Sequence, residues 1–275
     1  MDDVKPNKLN ISMVLFNNDS KTINSILKKF LQIKVLNKIY IIDNSKTPLI
    51  GIKPNDKISY QFNNKNLGYG KGHNIALKRT LELNIDYHLV ANVDIDFNPE
   101  DVDKMVGFME TENDIGLLVP KVEYPDGEIQ NVVRLLPSPL DIILRIPLIG
   151  DRIFKKRSDL HIISKYKYDR IINVPFLSGC FMLLRTSILR KVGLFDERFF
   201  LYAEDLDLSR RIHSITRTII NPKFIIKHEH QKASSKSFQA FRLHLASIVK
   251  YFMKYGWFFD KQRESLNDDC LKQFL

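Results

Sequence analysis

Short apolar runs alternate with stretches of helical periodicity over the first two thirds of the chain. Residues 10–16 are apolar enough to read as a buried strand. After the Asn17-Asn18-Asp19-Ser20 turn, Ile23, Ile26, Leu27, Phe30 and Leu31 recur at helical spacing, with Asp19 or Ser20 as N-cap. Residues 38–43 predict a second buried strand closed by Asn44-Ser45, and residues 58–62 a weaker third. A glycine-rich loop then leads into a predicted helix over 73–83, a strand over 87–93, a helix opening at Pro99 and a strand over 115–119. This alternation predicts an α/β fold, a mostly parallel central sheet with helices on both faces. Tyr124-Pro-Asp-Gly127 reads as a turn, and 136–172 as an irregular, basic insertion or mobile loop. A strand over 175–184, a helix over 203–213 and a last strand over 224–227 complete a catalytic-sized domain, residues 1–230. In 231–275, Phe238, Phe241, Leu245, Ile248, Val249 and Phe252 form the stripe of an amphipathic helical extension. The expectation is that this stripe packs on the domain, with a membrane-lying face as the alternative.

Composition narrows the class. At 44% hydrophobic, with 11 Gly, 11 Pro and 2 Cys in 275 residues, the chain is neither disordered, collagen-like nor a disulfide scaffold. Cys180 and Cys270 read as reduced thiols of a cytoplasmic protein. No signal peptide is visible, and no apolar run approaches the ~20 residues that span a bilayer. The net charge of +10 is concentrated in 140–170 and 228–263. Such an excess suits nucleic acid, anionic lipid or a phosphorylated substrate, or simply a solvated face.

In a parallel sheet, ligands bind beyond the carboxyl ends of the strands. Asn17, Asp43, the glycine loop, Asp94 and Asp96 all follow predicted strand ends. Asp94-Ile-Asp96 places two carboxylates at i and i+2, one side of a strand, where Mg²⁺ or Mn²⁺ could join them to diphosphate oxygens; a plain turn signal is the alternative. The glycines at 68, 70 and 72 allow close backbone approach and phosphate binding at a helix N-terminus, yet match neither the dinucleotide fingerprint nor a P-loop. Glu204, Asp205 and Asp207 fall in the first turn of a helix, where acids offset the dipole. Asp207 can pair with Arg210 or Arg211. Glu204 and Asp205 stand near Phe199, Phe200 and Tyr202, and desolvation there raises a carboxylate's proton affinity, as a general base requires. His228 and His230 share one strand face and could supply an imidazole to a metal, without forming a zinc site alone.

Taken in order, these features resemble the family 2 glycosyltransferases of the GT-A fold, near the non-processive rhamnosyltransferase-like members. The resemblance runs from about 10 to 230 through Phe16-Asn17, Asp43, Asn66-Leu-Gly68, Gly72-His-Asn74, Asn92-Val-Asp94-Ile-Asp96, Ser178-Gly179-Cys180, Phe195-Asp-Glu-Arg-Phe-Phe, Glu204-Asp205 and a late His. It implies an inverting transfer of one sugar, rhamnose or another hexose, from a dTDP- or UDP-linked donor to a glycan hydroxyl. The resemblance makes Phe16, Asn17, Asp43, Asn66, Gly68, Gly72, Asn74 and Asp94 the nucleotide-sugar contacts, with Asp43 on the base. Asp94, Asp96 and His228 or His230 become ligands of Mn²⁺ or Mg²⁺, and Asp205, beside Glu204, the base. Val93 and Asn44 stand where relatives often carry Pro and a second Asp, which leaves the base preference open. The Gln-x-x-Arg-Trp sequence of processive synthases is absent, the one Trp being Trp257. The two basic segments suggest a lipid-linked acceptor met at the inner face of the cell membrane, in cell-surface polysaccharide synthesis. A nucleotidyltransferase on a similar sheet and a non-enzymatic basic binding module are the rival readings. Against the second, no nucleic-acid motif appears, and acids cluster on the ligand rim.

Overall fold

A computed structural model describes residues 8–143, 159–229 and 238–275. Four strands, β1 (Leu9–Leu15), β2 (Leu36–Asp43), β3 (Ile58–Phe62) and β4 (Tyr87–Ala91), run parallel in the order β3-β2-β1-β4. Helices α1 (Ser20–Phe30) and α2 (Tyr69–Glu82) make two of the crossovers. Beyond β4 the sheet continues through β10 (Phe181–Arg185), β6 (Ile115–Glu123), β11 (Arg217–His228) and β5 (Ile95–Phe97). There β10 and β5 run antiparallel to their neighbours, and β8 (Ile172–Asn173) pairs with β11 to complete nine strands. Two-residue β7 (Val133–Arg134) and β9 (Phe176–Leu177) form a separate small sheet. The predicted α/β class, mostly parallel, is the fold observed.

Local chemistry explains the elements. Asp19 caps α1 by accepting the Thr22 amide at 2.9 Å, and Ile23, Ile26, Leu27 and Phe30 turn into the core. In β1, Met13 and Leu15 enter the main core, whereas Val14 packs with Tyr40, Ile42 and Ala76 of α2. Successive residues thus bury on opposite faces, as a sheet covered on both sides requires.

Three expectations need correction. Helix α2 begins four residues before 73, so Gly70 and Gly72 lie in its first turn. A Cβ at Gly72 would stand 2.7 Å from Val14, and one at Gly70 2.9 Å from Phe195; these glycines allow tight packing, not a pliable loop. The strand expected over 175–184 breaks into β9 and β10 at Ser178-Gly179-Cys180. Strand β11 starts at Arg217, not 224, because a register shift between Asn221 and Ile225 interrupts its periodicity. The remaining helices are α3 (Pro99–Thr111), α4 (Pro139–Ile143), α5 (Thr186–Val192), α6 (Glu204–His213), α7 (Phe238–Tyr255) and α8 (Lys261–Lys272). Residues 144–158 of the basic insertion lie outside the described residues, while its flank buries Ile163, Tyr166 and Ile172.

The later part of the α7 stripe faces the protein, whereas Phe241 and Leu245 are exposed. Ile248, Tyr251 and Phe252 join Leu136, Phe176, Phe199 and Leu206 in a second core. Arg210 of α6 meets Asp260, the N-cap of α8, in a buried bidentate pair at 2.7 Å.

Candidate active site

The carboxyl ends of β1, β2 and β4 share one rim, since these strands are parallel and in register. At the β1 and β2 ends the polar side chains bind one another. Asp43 is fully buried; it accepts the Ser45 amide at 2.9 Å, the Leu49 amide at 3.0 Å and the Tyr60 hydroxyl at 2.6 Å. Burial pushes its proton affinity up, but these donors outweigh it and hold the carboxyl below its ordinary range. Asp43 therefore fastens the turn after β2 and, as it stands, presents no free oxygen to a nucleotide base. Asn44 donates to the Gly68 carbonyl at 3.1 Å and accepts from Asn63 at 2.9 Å. An aspartate could not make the first of these bonds. Asn17, in the left-handed region at φ 59°, donates its amide to the Ser45 hydroxyl at 2.8 Å, beside exposed Phe16. Asn66 accepts the Gly68 amide at 2.9 Å. At Gly68, φ is +87° and a Cβ would lie 2.2 Å from the Phe200 carbonyl, so only glycine fits. Asn74 is buried and bonded through both ends of its amide to the Phe195 backbone. Gly72 and Asn74, expected at the donor, are packing positions of α2.

Past the end of β4 the rim opens. Asp94 and His228 approach to 3.2 Å, Oδ1 to Nε2. Gln130 donates its amide to the His228 carbonyl at 2.6 Å, which turns its Oε1 to His228 Nδ1 at 3.1 Å. His228 Nε2 thus faces Asp94 and the Asn92 amide, the latter 3.3 Å away. An imidazole nitrogen and a carboxylate oxygen this close are a pair that a divalent cation can join. Their separation is close to the ~3 Å edge of an octahedron with ~2.1 Å bonds, the geometry of Mg²⁺. The donor set, one carboxylate and one imidazole, fits Mn²⁺ or Mg²⁺ whose other positions fall to phosphate and water.

Asp96 does not join that pair. The chain turns at 92–94, and β5 is a separate antiparallel edge strand, so the i, i+2 rule does not span the two aspartates. Asp96 is exposed and paired with Lys29 of α1, though it borders the same 630 Å³ cleft as Asp94. Among the described residues no group of three His, Cys, Asp or Glu gathers. His230 lies outside the described residues.

On the other side of His228 is a 470 Å³ cavity, with Tyr69, Asn92, Gln130, Arg134, Glu204 and Asp205 among its walls. Tyr202 and Ala203, both left-handed at φ 67° and 63°, deliver the two acids into it. Asp205 accepts the Gly179 amide at 2.9 Å and the Leu206 amide at 2.8 Å. Among the described residues Glu204 Oε2 is buried without a partner. Desolvation, reinforced by Asp205, pushes the Glu204 carboxyl far above its ordinary range. Desolvation raises Asp205 too, against the opposing pull of its amide donors and Arg134. Of the pair, Glu204 keeps a proton and Asp205 is the one able to carry charge, the separation that marks an acid beside a base. The Tyr69 hydroxyl spans the two halves, 2.9 Å from Asn92 Oδ1 and 2.8 Å from the Gly179 carbonyl. Asp94 and Asp205 both raise the proton affinity of Tyr69 and of Cys180, so they flank one region rather than opposite sides of the molecule.

Gln130, Arg134 and Tyr69 carried no signal in the sequence. Each gains its place from a non-local contact.

No family model matches the chain. Over 200 residues, 63% of its length, it is 26% identical to an N-acetylglucosaminyl-diphospho-decaprenol L-rhamnosyltransferase of Mycobacterium tuberculosis, covering 60% of that protein. Over 203 residues, 73% of its length, it is 24% identical to the low-salt glycan biosynthesis hexosyltransferase Agl10 of Haloferax volcanii, covering 61% of it. The chain thus spans about 60% of the length of these relatives. Among solved structures it is similar to the mannosyltransferase PcManGT of Pyrobaculum calidifontis in complex with GDP-Man and Mn²⁺, with TM-score 0.58 and 13% identity. That likeness covers 90% of this chain and 65% of the other. The chain has the GT-A glycosyltransferase fold, and its sequence resembles the rhamnosyl- and hexosyltransferases of family 2.

Proposed function

We propose that the chain is an inverting glycosyltransferase that moves one hexose, rhamnose by preference, from a nucleoside diphosphate donor to a hydroxyl of a lipid-linked glycan acceptor. The observation that carries this is the cavity in which Asp205 and His228 share walls, with Asp94 at the far side of His228. Asp94 and His228 would hold Mn²⁺ or Mg²⁺, which when bound offsets the charge of the departing diphosphate. Asp205, steadied by the Gly179 amide, takes the proton of the acceptor hydroxyl. The oxygen forms its bond to the anomeric carbon as the bond to the diphosphate oxygen breaks, and the nucleoside diphosphate leaves from the opposite face. The donor base is uracil or thymine. The acceptor class is supported by the diphospholipid-linked substrate in the name of the mycobacterial relative. Among the described residues no helix is long and apolar enough to cross a membrane. The meeting with the acceptor is proposed for the cytoplasmic membrane surface.

A donor screen tests the reading. UDP- and dTDP-sugars with Mn²⁺ or Mg²⁺ should raise the melting temperature in a metal-dependent way, and one sugar should be hydrolysed slowly without acceptor. If no nucleoside diphosphate sugar stabilises the chain with either metal, the proposal fails.

A further inference from the structure

Arg134 occupies the same cavity as Asp205 and draws down the proton affinity of that acid. It lies on β7, paired with Phe176 of β9, and its guanidinium stacks on the Phe176 ring, 5.6 Å from the centroid. Its Nε is shut from solvent with no acceptor, and no carboxylate pairs with it among the described residues. Arg134 as a whole is half-buried, and the attraction of Asp205 only partly offsets the desolvation of its guanidinium, so an anion brought by a ligand would supply the pairing that Nε lacks. A planar guanidinium suits the two-oxygen edge of a phosphate. Arg134, Glu204 and Asp205 also line an adjoining recess of 120 Å³, whose other walls include Ile142, Phe176, Leu206 and Ile248 together with His161 and His244. A carboxylate for a hydroxyl, a cation for an anion and an apolar wall therefore meet in one place.

Deepening the transferase reading, on which it rests, we infer that Arg134 binds the phosphate carried by the acceptor sugar while the recess beyond takes the first carbons of its lipid. The acceptor hydroxyl then points at Asp205, and the phosphate selects sugars already mounted on a carrier. The donor's diphosphate is the other possible source of phosphate, and the test separates the two.

Calorimetry on the full chain would compare N-acetylglucosamine 1-phosphate with methyl N-acetylglucosaminide, with and without UDP or dTDP plus Mn²⁺. The wild type should bind the phosphate at least ~10-fold more tightly than the methyl glycoside. Arg134→Gln should abolish that preference, Arg134→Lys should keep part of it, and nucleotide affinity should be unchanged in both. Equal weakening of both sugars, loss of nucleotide affinity instead, or a wild type indifferent to the phosphate would each overturn the inference. If Arg134→Gln does not fold, the wild type against Arg134→Lys decides by the same ratio. A wild type that ignores nucleotide but prefers the phosphate through Arg134 would remove the transferase reading and leave this site standing.

Discussion

Two adjacent carboxyls differ in what holds them: Asp205 receives two backbone amides, and Glu204 Oε2 receives nothing among the described residues. Asp205→Asn should lower kcat by about 10²–10⁴-fold with nucleotide affinity intact, measured by initial rates and calorimetry. Because the folded Asp205 carboxyl titrates above its ordinary range, the acid limb of the rate profile should fall at a higher pH than a solvent-exposed aspartate would give. Glu204→Gln should raise the melting temperature at neutral pH. A folded carboxyl that holds its proton too tightly loses stability as pH rises past its unfolded value near 4.3, so the gain should vanish below that pH. Behind the proposed metal ligands, Gln130 holds His228 through two hydrogen bonds. Gln130→Ala should weaken Mn²⁺ binding by about 10–100-fold, read by titration with nucleotide present. Asp94, Glu204 and Asp205 were legible because acids at a strand end and in a helix's first turn carry a local signal. Asp43 shows the limit: its position was readable, but not the three donors the folded turn directs onto it.

At the scale of elements, a polar thread runs through the junction of β1, α2 and β4. Ser12 bridges His73 at 2.6 Å and His88 at 2.8 Å, and Thr80 meets the other nitrogen of His88 at 2.7 Å. Desolvation drives the His88 pKa down to about 3 and that of His73 well below its ordinary value. Unfolding frees both rings to take protons below about pH 6.5, so stability is full above that pH and is lost as pH falls toward 3. Thermal melts from pH 7 to 4 should show a steep decline, with His88→Gln less stable at pH 7 but shallower in slope. A flat wild-type profile would contradict the buried neutral rings. The same junction explains why α2 was read four residues short: glycine has low helix propensity, and the close approach of Val14 and Phe195 that demands it is visible only in three dimensions. Helix α1 had no such conflict: Asp19 is the cap, and Ile23, Ile26, Leu27 and Phe30 are buried as the spacing predicts.

Across the whole molecule, the C-terminal helices are tied to the helix that carries the acids. Arg210, on the inner side of α6, is held by Asp260 and by Tyr251 at 3.0 Å, so α7 and α8 buttress Glu204 and Asp205 from behind. This draws Ile248 and Phe252 of the α7 stripe inward, while Phe241 and Leu245 stay exposed. Between α7 and α8 the chain turns at Gly256, φ +98°, and presents Trp257, Phe258 and Phe259 outward, the last two 73% and 95% exposed, with Lys261 alongside. Adjacent large aromatics in water are costly unless a surface covers them, and Trp favours the headgroup layer of a bilayer. The basic segments could not reveal this tip, since charge along the chain does not say which side chains end up on one face. Replacing Phe258 and Phe259 by Ser should lower co-flotation with anionic vesicles by at least ~10-fold, given ~1.5–3 kcal/mol for each buried aromatic. Salt should weaken the wild type only in part, because the apolar share is not screened. Transfer to a soluble acceptor should be untouched, since the tip lies outside both the cleft and the cavity. A wild type that stays at the bottom of the gradient with anionic vesicles at low salt would leave the acceptor to reach Asp205 from solution.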